Sequence, residues 1–389
     1  MIGATTITPF TIDIPQADLD DLRNRLGRTR FAQHLPGVGW RYGTPTTFLQ
    51  ELVAYWKDGY DWRMWEAKLN GYPQFMTGID GQNIHFLHVE SAEPNATPLV
   101  LLHGWPGSIL EFLDTIEPLT NPVAHGGKAE DAFHLVIPSL PGFGFSGPTT
   151  DTGWESNRMA RAIAELMARL RYERYGVQGG DAGQFVAADL GREDADQVIG
   201  IHLNAATYGF IPWGEPGEEE LASLTESERA RIAQLKWWTD EGSGYFNIQA
   251  NRPQTIAAGL ADSPVGQLAW IVDMFKEWTF KGKERDELQI DRDLVLTNVM
   301  FYWLTNTAAS TARNYFENVH SGAWPTPVTV PTGVAVFARD IAIRRYGEEG
   351  YNIVHWSEFD RDGHFAALEA PDLLVGDIRA FFASVRNQD

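Results

Sequence analysis

The stretch Gly179-Gly180-Asp181-Ala182-Gly183 decides how the rest of this chain is interpreted. Its glycine spacing is that of a nucleophile elbow, a strained turn between a strand and a helix that lifts one side chain above a sheet. Glycines flank the raised residue because a Cβ would clash where the chain packs tightly. Serine usually occupies the raised position, whereas this chain has Asp181. A carboxylate in this place indicates attack on an alkyl carbon rather than on an acyl carbon.

Short apolar runs alternate with helical patterns on both sides of this turn. Asp80-Gly81 is a two-residue hairpin signal between the runs Phe75–Ile79 and Asn83–Val89, and it marks the expected start of a sheet. The strands expected after it are Leu99–Leu102, Phe133–Ile137, Tyr175–Gln178, Val198–Leu203, Val334–Phe337 and Asn352–Trp356. This alternation favours an α/β fold with a mostly parallel central sheet flanked by helices.

Helical periodicity is clear outside the sheet-forming segments. Thr44 and Pro45 are expected to be the N-cap and first residue of a helix whose apolar face includes Leu52 and Trp56. From Ala205 to Pro325 the strand–helix rhythm breaks, and Trp-rich helical patterns take over. The helices expected there include Glu226–Trp237 and Leu294–Ala308, and a closing helix is expected at Ala370–Val385.

These patterns divide the chain into four expected segments. Residues 205–325, here called the lid segment, are expected to form a mainly helical insertion after a strand. Residues 91–204 and 326–389 are expected to form the first and second parts of the α/β core. Residues 1–90 are expected to be an N-terminal region that wraps the core and leads into the first hairpin.

Composition narrows the classes of function. The chain has 389 residues, 43% of them hydrophobic, which is enough for a large ordered core. Its formal net charge of −21 disfavours nucleic-acid binding, because an acidic surface repels phosphate. It has no cysteine, which excludes thiolate chemistry. Neither a signal peptide nor a membrane span is expected, and a cytoplasmic location is favoured.

Three ionisable residues follow strands in a set order. Asp181 lies in the elbow, Asp340 follows Val334–Phe337, and His364 follows the last expected strand. Nucleophile, acid and histidine occur in this order in the α/β-hydrolase fold, where active groups lie beyond the carboxyl ends of strands. Taken alone, Asp181 is an ordinary turn residue, Asp340 a helix cap and His364 a core or surface histidine. Their joint order and placement favour a catalytic triad.

The loop His103-Gly104-Trp105-Pro106 after an earlier strand has a predicted role of its own. In this fold the oxyanion hole uses one backbone N–H of that loop and one of the residue after the nucleophile. Those residues are Trp105 and Ala182 here. An ordinary Gly-Pro turn is the alternative, and the position of the loop before the elbow favours the oxyanion hole.

At this point the chain resembles the microsomal-type epoxide hydrolases, including their soluble bacterial members, over nearly its whole length. The motifs that carry the resemblance are Trp40-Arg41-Tyr42-Gly43, His103-Gly104-Trp105-Pro106-Gly107-Ser108, Asp262-Ser263-Pro264-Val265-Gly266, Leu296-Thr297-Asn298 and Gly363-His364-Phe365-Ala366-Ala367. Within the family the chain looks similar to enzymes of actinobacterial enediyne antibiotic pathways. Two departures from the family pattern are Ala182, where Trp is more usual, and Asp340, where mammalian members often have Glu.

The resemblance also implies two tyrosines in the lid segment, Tyr245 and Tyr315, which would otherwise be interpreted as core aromatics. In the implied reaction these tyrosines donate a proton to the epoxide oxygen while Asp181 attacks a ring carbon. The resulting ester is hydrolysed by water that His364, oriented by Asp340, activates. The product is a vicinal diol.

Partners and alternatives follow from this interpretation. The expected partners are an apolar epoxide, aromatic epoxides included, and water, with a second copy of the chain as a homodimer left open. No cofactor and no metal site are expected. A haloalkane dehalogenase shares the aspartate nucleophile, but Ala182 has no side-chain N–H donor for a halide. A catalytically silent binding protein of the same fold is the other alternative, and it would require the loss of a catalytic residue.

Overall fold

The computed structural model describes residues 6–279, 290–323, 326–361 and 363–386. The outer ends of the expected segments, at residues 1–5, 324–325 and 387–389, lie outside the described residues. The same holds for residues 280–289 within the lid segment.

Within the described residues, nine strands form one sheet. They are β1 (Thr8–Pro9), β2 (Gln74–Ile79), β3 (Gln82–Val89), β4 (Thr97–Leu102), β5 (Phe133–Pro138), β6 (Tyr175–Gly180), β7 (Val198–Asn204), β8 (Val328–Val336) and β9 (Tyr351–Glu358). Their order across the sheet is β1-β2-β3-β5-β4-β6-β7-β8-β9. The pairs from β5 to β9 are parallel, while β1, β2 and β3 pair antiparallel. The expected mostly parallel sheet is confirmed.

The first hairpin forms where the sequence predicts it. Asp80 and Gly81 join β2 to β3 with positive φ angles of 47° and 75°, which a two-residue hairpin turn of this type requires. The expectation that this hairpin starts the sheet is wrong, because β1 precedes it and pairs with β2 through Thr8 and Met76. A two-residue edge strand has no periodic pattern, so sequence alone could not reveal it.

Helices cover the sheet and form most of the lid segment. They are α1 (Gln16–Gly27), α2 (Thr46–Asp58), α3 (Trp62–Leu69), α4 (Leu113–Thr120), α5 (Ser156–Arg169), α6 (Ala182–Glu193), α7 (Glu218–Ser223), α8 (Glu226–Trp237), α9 (Gly244–Asn251), α10 (Pro253–Asp262), α11 (Pro264–Trp278), α12 (Arg292–Thr305), α13 (Ala308–His320), α14 (Arg344–Gly347), α15 (Ala366–Glu369) and α16 (Pro371–Val385). Helices α6 and α16 lie on opposite faces of the sheet. Consecutive residues of β7 show this, because Gly200 faces Phe381 of α16 and Ile201 faces Gly191 of α6.

Two expected helix boundaries are wrong. Pro45 has a ψ of 139° and is the N-cap of α2, so the helix begins at Thr46. The Thr44 hydroxyl does not cap the helix and instead donates to the Ala269 carbonyl at 3.1 Å. The helix expected at Leu294–Ala308 is interrupted at Asn306, which adopts the left-handed conformation with φ 52° and ends α12. Asn tolerates that conformation better than most residues.

The N-terminal region packs against the lid segment. The Tyr55 hydroxyl donates to the Asp293 carboxylate at 2.6 Å, and the Tyr60 and Thr297 hydroxyls are 2.8 Å apart. The Trp62 ring contacts the Phe301 ring edge-on, at 6.4 Å between centroids. Both partners of Tyr60 and Trp62 lie on α12, so α2 and α3 with the loop between them hold this helix in place.

Candidate active site

The elbow between β6 and α6 has the geometry that its glycines predict. Asp181 has φ 52° and ψ −122°, a strained conformation for a residue with a side chain. A Cβ on Gly183 would overlap the carbonyl of Leu102, and one on Gly179 would overlap the carbonyl of Gly183. Only glycine fits at these two positions, which lets the turn raise Asp181 at the carboxyl end of the parallel strands.

Two backbone N–H groups converge on one oxygen of the Asp181 carboxylate. Trp105 N donates to Asp181 Oδ1 at 2.9 Å, and Ala182 N donates to the same oxygen at 2.7 Å. These are the two groups that the sequence predicts for the oxyanion hole. Because both point at Oδ1, the structure presents a two-donor anion site whose occupant is the carboxylate itself.

The loop that carries Trp105 is held by α12 of the lid segment. Asn298 Nδ2 donates to the Pro106 carbonyl at 2.5 Å, and the Tyr302 hydroxyl donates to the Gly107 carbonyl at 2.7 Å. All four groups are buried. Asn298 belongs to one of the motifs that carry the resemblance, but the sequence predicts neither this role nor the contribution of Tyr302. Partners so far apart along the chain leave no local signal.

His364 lies beside the elbow, after β9. Its Nε2 is 3.7 Å from Asp181 Oδ2, and its ring packs on Trp278 at 4.6 Å between centroids. Burial lowers the pKa of the His364 imidazole below its ordinary value, the Asp181 charge opposes this, and Arg339 adds to it. His364 is therefore neutral at neutral pH, which is the form that can accept a proton.

Asp340 is buried in the turn after β8. Its Oδ2 accepts from Phe337 N at 3.0 Å, and its own N–H donates to the Phe337 carbonyl at 2.9 Å. This turn holds the carboxylate near the backbone rather than at a helix terminus. A contact between the Asp340 and His364 side chains, which the role of orienting acid requires, stays a prediction.

The two predicted tyrosines meet above Trp105. Tyr245 of α9 stacks on the Trp105 ring at 5.5 Å with an interplanar angle of 5°, and Tyr315 of α13 meets it edge-on at 5.7 Å. Their own rings are 6.1 Å apart. The Trp278 ring lies 5.1 Å from Tyr245. The structure thus brings together an aromatic wall, two phenols and the histidine over the elbow.

The phenols are weaker acids than free tyrosine. Burial raises the pKa of Tyr245 and of Tyr315 well above the ordinary value of about 10, and the negative charge of Asp181 raises both further. Both hydroxyls therefore stay protonated over the physiological pH range.

A small cavity adjoins the elbow. Its lining residues come from segments 102–112, 178–204 and 364–374 of the described chain, which belong to the core rather than to the lid segment. Asp181 and His364 line it together with Glu111, Gln178 and Asn204. The sequence reasoning did not single out any of these last three, because their proximity to Asp181 arises from the fold.

Within the described part of the chain, no group of three or more His, Asp or Glu side chains is arranged to hold a metal ion. None of its helices combines the length and the apolar character that crossing a bilayer requires.

Comparison with known proteins identifies the family. Residues 7–112 match the family described as epoxide hydrolase N terminus, and residues 97–259 match the alpha/beta hydrolase fold family. The chain is 46% identical over 383 residues to the Stigmatella aurantiaca protein named "Putative epoxide hydrolase". This alignment covers 98% of this chain and 86% of that protein. It is 34% identical to epoxide hydrolase 1 of Sus scrofa, covering 98% of this chain and 90% of that protein.

A solved structure agrees with these sequence matches. The epoxide hydrolase of Aspergillus niger superposes with a TM-score of 0.86 at 32% identity, covering 98% of this chain and 97% of that one. The fold expected from the sequence is thereby confirmed. Since the sequence matches and the superposition both extend over nearly the whole chain, the chain belongs to the epoxide hydrolase family and is an epoxide-hydrolysing enzyme of the α/β-hydrolase fold.

Proposed function

We propose that the enzyme converts apolar epoxides, aromatic ones included, to vicinal diols through a covalent ester on Asp181. The observation that carries the proposal is the unequal environment of the two Asp181 oxygens. Oδ1 accepts two backbone N–H bonds, whereas Oδ2 is the oxygen nearest His364 Nε2, at 3.7 Å. One oxygen is therefore held, and the other is available to attack carbon.

In the first step, Asp181 Oδ2 attacks a carbon of the epoxide ring. A C–O bond to the carboxylate forms as the ring C–O bond breaks, and the departing oxygen takes a proton from Tyr245 or Tyr315. A ring-opened alkoxide is a strong base, so it can accept a proton from a phenol of raised pKa. The negative charge leaves Asp181 as the ester forms, which removes one cause of the raised tyrosine pKa values.

In the second step, His364 draws a proton from a water molecule that attacks Cγ of the Asp181 ester. The oxyanion forms on Oδ1, where Trp105 N and Ala182 N already donate. Its collapse breaks the bond between Cγ and Oδ2 and releases the diol. One water proton ends on the diol and the other returns to the tyrosine, so the enzyme is regenerated.

A carboxylate suits this chemistry better than a serine hydroxyl does. Opening an epoxide with serine would leave an ether, which water does not readily cleave, whereas a carboxylate leaves an ester. We assign the role of orienting acid to Asp340, which is buried four residues beyond Val336, the last residue of β8. The aromatic wall of Trp105, Tyr245 and Trp278 supports an apolar substrate.

Four further expectations rest on the sequence alone. The cytoplasmic location, the homodimer, the absence of nucleic-acid binding and the similarity to enediyne-pathway enzymes all stay predictions.

The covalent route is tested by a single turnover in ¹⁸O-labelled water with enzyme in excess over styrene oxide. Water attacks Cγ, so the label is expected in the peptide that contains Asp181 and not in the first diol formed. Label in that first diol would contradict the ester route, because it indicates direct attack of water on the epoxide.

A trapping variant gives an independent readout. His364→Gln keeps the nucleophile but removes the base, so the protein mass is expected to increase by the mass of the epoxide and to stay increased. A chloroalkane incubated in parallel is expected to release no chloride. Absence of the adduct with an epoxide that the unchanged enzyme hydrolyses would argue against the two-step scheme.

A further inference from the structure

Buried polar atoms without hydrogen-bond partners gather around the cavity behind Asp181. Among the described residues, three buried side-chain atoms near the cavity have no hydrogen-bond partner: Glu111 Oε1, Gln178 Oε1 and His364 Nε2. All three residues line this cavity. Buried polar atoms in folded proteins almost always have partners, from protein or from ordered water. Three such atoms around one polar cavity indicate a binding site for an ordered water molecule.

The size of the cavity fits this interpretation. The centre of a water molecule can move through about 10 Å³ of it, which is room for about one molecule. A buried water needs roughly two to four polar partners. The cavity offers a carboxyl, two carboxamides and an imidazole, from Glu111, Gln178, Asn204 and His364.

The Glu111 carboxyl is seated against the loop of the oxyanion hole. Glu111 lies in the single 3-10 turn Ile109–Phe112, which Ser108 caps by accepting from Leu110 N at 3.3 Å. A Cβ on Gly107 would overlap Glu111 Oε1, so the carboxyl occupies the space that a side chain at position 107 would need. Gly107 and Glu111 thus fit together as a unit beside Trp105.

We propose that Glu111 is a positioning residue for ester hydrolysis, which together with Gln178 holds the attacking water on the core side of Asp181. The proposal rests on the function proposed above, because it concerns the second step of that reaction. The substrate binds on the side of Asp181 that the two tyrosines cover. The water binds on the other side, in the cavity that core residues line. Water then reaches Cγ without first displacing the bound product half of the ester.

The chemistry of Glu111 is suited to this role. Burial raises the pKa of its carboxyl well above the ordinary value, and the charge of Asp181 raises it further. Both effects favour the protonated carboxyl, which can donate one hydrogen bond and accept others. A neutral group also adds no second negative charge beside the nucleophile. Gln178 Nε2 is already engaged with Asn204 Oδ1 at 2.7 Å, which leaves its Oε1 to accept from the water.

The test separates the two steps by rapid mixing with styrene oxide, acid quenching and mass measurement of the intact protein. Glu111→Ala is expected to slow ester hydrolysis by about tenfold or more, the effect of losing one or two hydrogen bonds, and to change the rate of ester formation by less than about threefold. The alkylated protein therefore accumulates. Glu111→Gln keeps one donor and one acceptor, so it is expected to restore hydrolysis to within about threefold of the unchanged enzyme.

Two further variants keep the result interpretable. Gln178→Leu removes the second partner of the water and is expected to accumulate ester in the same way, so it provides the test if Glu111→Ala does not fold. The matched control is Thr115→Ala, which removes a buried hydroxyl that donates to the Phe112 carbonyl at 2.8 Å. This variant is expected to accumulate no more ester than the unchanged enzyme.

Equal slowing of both steps in Glu111→Ala and Gln178→Leu, or unchanged hydrolysis in both, overturns the inference. The unchanged enzyme and His364→Gln are measured in the same series. If those two still form the ester, the proposed function stands even when the inference about Glu111 fails. If neither forms it, the proposed function itself is wrong.

Discussion

The proposed chemistry depends on the two oxygens of a single carboxylate, that of Asp181. The positive φ of Asp181 directs the side chain so that Oδ1 meets both N–H donors and Oδ2 faces His364. The strain of this backbone conformation is of the order of 1–3 kcal/mol. The sequence predicted the elbow and the identity of both donors, because the glycine spacing is local. It could not predict which oxygen is held, since that depends on torsion angles set by packing.

The expected pH dependence of ester hydrolysis follows from a single residue, His364. The pKa of His364 is lowered by burial, and the Asp181 charge, which opposes that shift, disappears once the ester has formed. The base form is therefore expected to persist below pH 6.5, the ordinary midpoint for histidine. The acidic midpoint of the hydrolysis of the preformed ester is therefore expected below pH 6.5. Single-turnover decay of the alkylated protein between pH 4.5 and 8 measures this, and a midpoint above 6.5 would contradict it.

At the scale of single elements, helix α12 has more influence on the site than its place in the lid segment indicates. Its face toward the core carries Asn298 and Tyr302, which hold the carbonyls of Pro106 and Gly107. The loop that supplies Trp105 N is therefore anchored from outside the core. Helix α13 is anchored in a similar way, because Asn314 Nδ2 donates to the Trp154 carbonyl at 3.1 Å and so fixes the helix that carries Tyr315.

Tyr302→Phe tests the anchoring of the oxyanion loop. The substitution leaves the buried Gly107 carbonyl without its partner, so it is expected to lower the free energy of unfolding by about 1–3 kcal/mol. Ester hydrolysis is also expected to slow, because the Trp105 N–H is held less firmly. The measurements are thermal or urea unfolding and decay of the alkylated protein.

Tyr175→Phe is the matched control for that substitution. Tyr175 is buried at the start of β6, the end opposite the elbow, and its hydroxyl donates to Asp194 at 2.6 Å. We expect it to reduce stability without slowing ester hydrolysis. If Tyr302→Phe slows hydrolysis no more than Tyr175→Phe does, the loop does not depend on α12.

At the scale of the whole molecule, the N-terminal region, the core and the lid segment stabilise one another. Trp62 is 4% exposed and packs between its own helix and Phe301 of α12. The N-terminal region and the core also share one buried cluster, which contains Leu52 of α2 and Leu135 of β5. The site between core and lid therefore depends on residues far from it.

Trp62→Ala tests this dependence. Removing a buried Trp is expected to lower the free energy of unfolding by about 3–5 kcal/mol, and to slow diol formation at temperatures where the variant is still folded. Trp213, which is 76% exposed, provides the control, and Trp213→Ala is expected to change stability by less than about 0.5 kcal/mol. Equal effects of the two substitutions would show that the N-terminal region folds independently of the site.

The resemblance to a family, rather than any local pattern, implied Tyr245 and Tyr315. The sequence predicted eight of the nine described strands, the hairpin turn and the elbow that carries Asp181. These follow from side-chain periodicity, glycine spacing and turn preferences, which act over a few residues. It misplaced the start of α2 at Pro45 and the end of α12 at Asn306, where a tertiary hydrogen bond and a left-handed residue override periodicity.

The surroundings of Asp181 follow from tertiary packing. Two of these contacts are the close approach of Glu111 to Gly107 and the hydrogen bond from Asn298 to the Pro106 carbonyl. They depend on how the segments of the chain pack together. A contact of that kind leaves no periodic trace in the sequence, because its partners are set by the whole packed core rather than by their neighbours along the chain. Local sequence patterns therefore predicted most of the candidate catalytic groups, and the packing of the whole chain determined their geometry and the cavity beside Asp181.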